Sequence, residues 1–204
     1  MEFEYTTSWF MHNRPAWVQI CNLLKPRRFL EIGSFEGQSA CFVIEAMGAM
    51  QPVDVVCIDT WQGGVEHDKS GMGEVEARFD RNIQLATSRS AHPVSVLKKK
   101  KLSLDALAEL LVAGQGGTFD LIYVDGSHQA ADVLADAVLA FRLLRLGGVV
   151  IFDDYAWSRQ EEGQEDLLDE PKIAIDSFVN VYRRKLRILL DMPLRQLYAV
   201  KLSD

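Results

Sequence analysis

The stretch FDLIYVDGSHQAADVLADAVLAFRLLRLGGVVIFDDYAW, residues 119–157, carries two kinds of apolar pattern in turn. Residues 119–125 and 147–154 are short runs, mostly apolar on both faces. Between them QAADVLADAVLAFRLLR repeats its apolar residues at helical spacing. Strands buried on both faces belong to a parallel sheet covered on each side, and strand, helix, strand is its building unit. The same rhythm runs through the rest of the chain. RFLEIG (28–33), VDVVCID (53–59) and PVSVL (93–97) read as strands. GQSACFVIEAMGAM, GEVEARFDRNIQLA and SLDALAELLVAG read as helices, punctuated by Gly or Pro. The pattern predicts an α/β fold with a Rossmann-like, doubly wound, mostly parallel sheet. After Pro171, KIAIDSFVNVYRRK reads as a helix, and LRILLD and RQLYAVKL as two strands joined by a short turn. With no helix between them, they predict a terminal antiparallel hairpin.

At 204 residues, 48% hydrophobic and 25% charged, the chain has enough apolar material for one substantial core. The expected division is a partly helical, aromatic-rich cover segment over residues 1–27 and one domain over 28–204. A net charge of -7 argues against nucleic acid and membrane surfaces as partners, and a small-molecule substrate is expected instead. No apolar run approaches the ~20 residues of a membrane span. The start MEFEYTTSWF lacks the features of a signal peptide, so a cytoplasmic location is expected. The aromatic first segment suits either a lid or an interface in a homo-oligomer. Cys21, Cys41 and Cys57 lack zinc-ligand spacing and are expected as buried, reduced thiols. Lys98 to Lys101 is expected as a solvated strand exit.

Ligands of open α/β sheets bind beyond the carboxyl ends of the strands. These exits read Glu31-Ile-Gly33, Asp59-Thr60-Trp61, Asp125-Gly126-Ser127-His128 and Asp153-Asp154-Tyr155. In EIGSFEGQS, Gly33 and Gly37 permit a sharp turn and a close ligand at a helix start. The spacing is not G-x-G-x-x-G, which argues against an NAD-linked oxidoreductase. Asp59 is placed to accept hydrogen bonds from ribose hydroxyls, or is a solvated acid at a strand end. Trp61 lies against an adenine or plugs its loop. Glu31 orients a ligand amino group or braces the turn.

Through Glu31-x-Gly33-x-x-x-Gly37 and the later Asp59, the chain resembles class I S-adenosylmethionine-dependent methyltransferases from Arg28 to Leu202. The resemblance implies a strand order that reverses between the first and fourth strands, and an antiparallel final strand. It implies a cofactor site along Glu31, Gly33, Ser34, Gly37, Ser39, Asp59, Thr60, Trp61 and Asp125. In such a sheet Asp125 lies beside Asp153 and Asp154. Carboxylates so close repel one another unless a cation compensates, and Mg²⁺, ahead of Ca²⁺ or Mn²⁺, is the expected one. Alternatively Asp125 caps the next turn while Asp153 and Asp154 face water. His128 has a side chain that can take a proton from a metal-bound hydroxyl near neutral pH, or it is a plain loop residue.

The stretch from Tyr123 to Trp157 is similar to metal-dependent O-methyltransferases, and most to the branch of macrolide-sugar O-methyltransferases and cephalosporin-hydroxylase-like proteins. Catechol O-methyltransferase uses Asp-x-x-Lys and a later Asp-Asn. Here the pattern is Asp125-x-x-His128 and Asp153-Asp154. With no lysine, the resemblance makes His128 the base, and the extra acid favours tighter metal binding while weakening the case for a catechol acceptor. It also implies that His67, Phe79 and Asn82 face the pocket, although Phe79 and Asn82 fit helix packing and helix surface equally. Tyr155 and Trp157 are candidate acceptor walls. SRQEEGQEDLLDEP (158–171) lacks an apolar face and is expected to be a mobile loop. The expected reaction is methyl transfer to a hydroxyl of a sugar diol, catechol or natural product. A metal-independent methyltransferase and a cofactor-binding module without turnover are the alternatives.

Overall fold

Five parallel strands form the middle and one edge of the sheet: β1 (Arg28–Ile32), β2 (Val53–Asp59), β3 (Val94–Lys100), β4 (Phe119–Val124) and β5 (Leu144–Phe152). This is a computed structural model describing residues 2–64, 71–161, 163, 164 and 166–204. Strand order is β3-β2-β1-β4-β5-β7-β6, with β6 (Leu186–Ile188) and β7 (Leu197–Lys201) as the antiparallel hairpin. β7 folds back against β5, so the last strand lies inside β6. The doubly wound sheet, its reversal between β1 and β4, and its antiparallel end are thus all present.

The two faces carry separate cores. On one side α1 (Arg14–Leu24), α2 (Gln38–Gly48) and α3 (Met72–Arg89) cover residues such as Phe29, Val55 and Leu121. On the other, α4 (Ser103–Val112), α5 (Ala130–Leu143) and α6 (Pro171–Tyr182) cover Leu30, Val56 and Ile122. Successive strand residues thus serve opposite cores, which is why the inner strands read as mostly apolar on both faces. Trp17 of α1 is fully buried, edge-on to Tyr123 of β4 with ring centroids 4.8 Å apart. All three cysteines are free and buried. Among the described residues no helix is long and apolar enough to cross a membrane.

Two boundaries differ from expectation. β3 does not stop at Leu97 but runs through Lys100, so three of the four lysines are strand residues. Alternation sends Lys98 and Lys100 to acids of α3, with Lys98 2.9 Å from Glu76, and Lys99 and Lys101 to Glu109 of α4. Lys101, then Lys99, hold the Glu109 carboxyl down at about 2. An edge strand tolerates charge on both faces because it is half-solvated, and charge there discourages edge-to-edge pairing. β5 begins at Leu144 rather than Gly147, because a shift in the β4–β5 register between Phe119 and Leu121 pairs Leu144 with Phe119. Asp120 ties the amino ends of these strands together. It accepts the Arg27 and Arg28 N–H groups at 2.8 Å and pairs with Arg145.

Asp136 of α5 is buried at 1% exposure, with no hydrogen-bond partner for either oxygen among the described residues. Burial pushes its carboxyl from 3.8 up to about 7, the nearby Ser103 hydroxyl offsetting part of the rise. The folded state therefore keeps a proton that the unfolded chain loses, and this group costs stability as pH rises from its unfolded value towards 7. Asp136→Asn should remove that loss. Measured by thermal melting, its Tm relative to wild type should rise by about 5 °C between pH 5 and pH 8. Parallel pH profiles for the two proteins would show that Asp136 does not titrate in this window.

Candidate functional site

The strand exits meet at one edge because register aligns them: Ile32 lies beside Ile58 and Val124, and Val124 beside Phe152. The next residues are Gly33, Asp59, Asp125 and Asp153. Gly33 has φ +83, and a Cβ there would fall 1.8 Å from the Asp125 carbonyl oxygen. Only glycine lets the turn after β1 press on the end of β4. Main-chain bonds lock the approach, with Gly33 N–H donating to Ile58 at 2.9 Å and Asp125 N–H to Ile32 at 2.8 Å.

Asp59 gathers the adjoining turns. Its Oδ2 accepts the Ser34 and Phe35 N–H groups, each at 2.8 Å, and its Oδ1 accepts Trp61 N–H at 2.6 Å. Phe35 and Trp61 take φ values of 46° and 52°, costly for bulky residues and sustained where surrounding bonds enforce them. Gly37, at φ 80°, then starts α2. Below the turn Glu31 is fully buried and accepts the Ser39 hydroxyl on Oε1. Its Oε2 and the Ser34 Oγ have no hydrogen-bond partner among the described residues. Burial pushes the Glu31 carboxyl up to about 7, against the lowering effect of Ser39. Thr60 Oγ1 accepts Gln62 N–H at 3.2 Å.

Trp61 is a plug: its Nε1 donates to the Phe35 carbonyl at 2.9 Å, and its ring packs 4.8 Å from that of Phe79. Phe79 is therefore a packing residue. Asn82 is buried rather than on the helix surface, with Nδ2 donating to the Glu36 carbonyl at 2.9 Å. His67 lies outside the described residues.

Beyond β4 and β5, Asp125, His128 and Asp154 bring one ligand atom each within 4.8 Å of one another, all half-buried. His128 Nε2 stands 2.9 Å from Asp154 Oδ2, and its ring lies 4.3 Å from that of Trp157. Asp154 has φ 53°, a conformation that Asp tolerates better than most residues. Asp153 stands apart from this trio. Its Oδ1 accepts Asp154 N–H at 2.9 Å, and its Oδ2 meets the Tyr123 hydroxyl. That hydroxyl is also 2.9 Å from Asp125 Oδ2. A phenol has one proton to donate, so the two carboxyls and Tyr123 are jointly satisfied when one carboxyl is protonated. Burial first, then the neighbouring acids, raises Asp125 well above the carboxylate range and Asp153 to about 6. Gln196 Nε2 reaches the Tyr123 oxygen at 3.4 Å, while its Oε1 accepts Trp17 Nε1–H at 2.9 Å and the Tyr198 hydroxyl.

Tyr123 escaped the sequence reading although a signal was there: it precedes Asp125 by two residues and so shares its side of the strand. Gln196 comes from the far end of the chain and carried none. Tyr155 is committed elsewhere, donating to Asp176 of α6 at 2.7 Å under Lys172 Nζ. Pro171 and Ile175 of α6 line a small pocket together with the cluster. In the expected mobile stretch, Leu167–Asp169 forms a 3-10 turn that Gln129 Nε2 holds at 2.9 Å through Asp169; Glu162 and Glu165 lie outside the described residues.

Comparison with known proteins matches residues 30–155 to a methyltransferase domain family. Catechol O-methyltransferase domain-containing protein 1 of Mus musculus is 28% identical over 140 residues, 69% of this chain and 46% of that protein. The chain spans about half the length, or less, of the curated relatives it matches. The O-methyltransferase TomG of Streptomyces achromogenes, involved in tomaymycin synthesis and solved in complex with SAM, superposes with TM-score 0.62 at 20% identity over 92% of this chain and 78% of that one. An O-methyltransferase from Bacillus cereus in complex with SAH gives TM-score 0.60 at 17% identity over 98% and 84% of the two chains. At such identities the likeness is one of fold.

Tyr123→Phe should leave Asp125, Asp153 and Gln196 without their shared hydroxyl and lower stability by about 1–3 kcal/mol in urea unfolding. An unchanged midpoint would show that the phenol does not hold these groups together.

Proposed function

This chain belongs to a family of methyltransferase domains, and on that premise we propose that it transfers the methyl group of S-adenosylmethionine to a hydroxyl oxygen of a small molecule, with a divalent cation, Mg²⁺ first, at the acid cluster. One observation carries the reading: Gly33 and Asp125 touch. The glycine turn and the acid and imidazole cluster therefore share a wall, so a donor seated in one faces an acceptor seated in the other.

The residues fit both groups. Left-handed Gly33 and Gly37, Asp59, and the Glu31 Oε2 and Ser34 Oγ, which have no hydrogen-bond partner among the described residues, together form a cradle with polar capacity in reserve. Asp59 Oδ1, with one backbone donor, keeps lone-pair capacity for a ribose hydroxyl, whereas Oδ2 already accepts two. Asp125 and Asp154, with Asp153 behind them, offer the oxygen donors that a hard cation prefers. When bound, the cofactor supplies an activated methyl group and the cation lowers the pKa of a coordinated hydroxyl. With Nε2 facing Asp154, which orients the ring and stabilises its charged form, His128 takes the hydroxyl proton at its other ring nitrogen, Nδ1. Trp157 packs against the ring at a tilt of 48°, and Pro171 and Ile175 line the same pocket. An acceptor with two adjacent oxygens suits a cation held by two or three carboxylates. The relatives named as O-methyltransferases support oxygen as the acceptor atom. One observation favours a metal-independent variant: Tyr123 satisfies Asp125 and Asp153 without any ion.

Calorimetric titration of S-adenosylhomocysteine with and without Mg²⁺ separates these readings. Wild type should bind the nucleoside at micromolar concentration and Mg²⁺ at a separate site that Asp125→Ala with Asp154→Ala abolishes. Nucleoside binding without a metal site would leave a metal-independent enzyme, and no nucleoside binding would overturn the proposal. With a vicinal diol as acceptor, His128→Ala should lower kcat by about 100-fold and leave the KM for S-adenosylmethionine nearly unchanged.

A further inference from the structure

Glu36 sits inside the glycine turn, between left-handed Phe35 and Gly37, yet its carboxylate serves a distant segment. It is buried to 1% exposure. Its Oε2 accepts Thr6 N–H at 2.6 Å, and its Oε1 accepts the Thr6 hydroxyl at 2.8 Å and Arg78 Nε–H at 2.5 Å. Its carbonyl accepts Asn82 Nδ2–H at 2.9 Å. Asn82 in turn clasps Glu4, accepting its N–H at 2.8 Å and donating to its carbonyl at 3.0 Å. Gln38, just past the turn, donates to the Thr7 carbonyl, and the Trp9 ring lies 5.5 Å from that of Phe35.

The turn thus has two anchors. Asp59 holds the Ser34 and Phe35 N–H groups, and Glu36 is held by the strap of residues 4–7 together with Arg78 and Asn82 of α3. A turn with non-glycine positive φ relaxes unless its surroundings over-determine it. Among the described residues the Glu36 carboxylate meets three donors and no acceptor, a pattern that suits a carboxylate. Glutamine would aim its NH₂ at one of them, and aspartate is a methylene short. We propose that Glu36 is a positioning residue for the cofactor: through it the N-terminal strap and α3 hold the turn from Gly33 to Gly37 in its binding shape. The strap is thereby a working part of the cofactor site. This inference rests on the methyltransferase reading above.

Glu36→Gln and Thr6→Ala test it in the full chain. Arg78 keeps Glu74 at 3.0 Å in the first variant, and the second keeps the Thr6 N–H bond, so both retain most of the local structure. Glu36→Gln should weaken S-adenosylhomocysteine binding about tenfold and Thr6→Ala about threefold, and the double variant should bind no worse than Glu36→Gln alone. In turnover, KM for S-adenosylmethionine should rise while kcat at saturation stays near wild type. In unliganded Glu36→Gln, amide hydrogen exchange should speed up across residues 33–38 and leave β4 and α5 unchanged. Wild-type affinity with unchanged exchange at the turn would overturn the proposal. So would faster exchange spread evenly over β4 and α5, the mark of a general loss of stability. If wild type itself binds no S-adenosylhomocysteine, the methyltransferase reading fails, and the exchange comparison still decides whether Glu36 holds the turn.

Discussion

The contact between Gly33 and the Asp125 carbonyl sets the terms for the rest of the site. Any side chain at Gly33 would drive the first turn away from β4, because the obstacle is main chain with no rotamer to change. With glycine there, β1 and β4 are stitched beyond their last paired residues, and Asp59 draws in the turn from the other side. The cradle and the acid cluster follow as two sides of one seam. Proximity of donor and acceptor is the main thing a protein contributes to a displacement reaction, and in the proposed reaction it would come from this backbone contact.

Carboxylates are used in opposite ways at the two edges of the sheet. At the amino edge, against the opposing effect of burial, Arg145 and two backbone N–H groups hold Asp120 below its ordinary range. At the carboxyl edge burial and mutual repulsion push Glu31, Asp125 and Asp153 up, with no Lys or Arg paired to any of them among the described residues. Acids that stabilise are matched with cations. Those at the strand exits cluster instead, and groups with perturbed titration in a cleft are commonly functional.

The legible part of the sequence was local. Doubly apolar runs mark strands buried on both faces, and EIGSFEGQS marks the turn, because each depends on residues adjacent in the chain. Lys98 to Lys100 were misread because an edge strand need not be apolar, and edge position is a property of the whole sheet. Tyr155 and Asn82 were uncertain for a related reason: their partners, Asp176 on α6 and Glu4 and Glu36 on other segments, come from elements that sequence spacing does not bring together. Glu36 carries no signal of its own in EIGSFEGQS. Its importance depends on Thr6, thirty residues earlier, and on Arg78, further along.

Gln196 joins Trp17, 179 positions away along the chain, to the Tyr123 hydroxyl. A link of that span has a temporal meaning for a chain made from one end. The first strands and helices can pair while synthesis continues, but β7 inserts between β5 and β6 only after residue 201 exists. Until then Trp17 lacks its acceptor and Tyr123 has no amide beside it. The two acids it touches are completed last, after the most non-local contacts, which are the slowest to form.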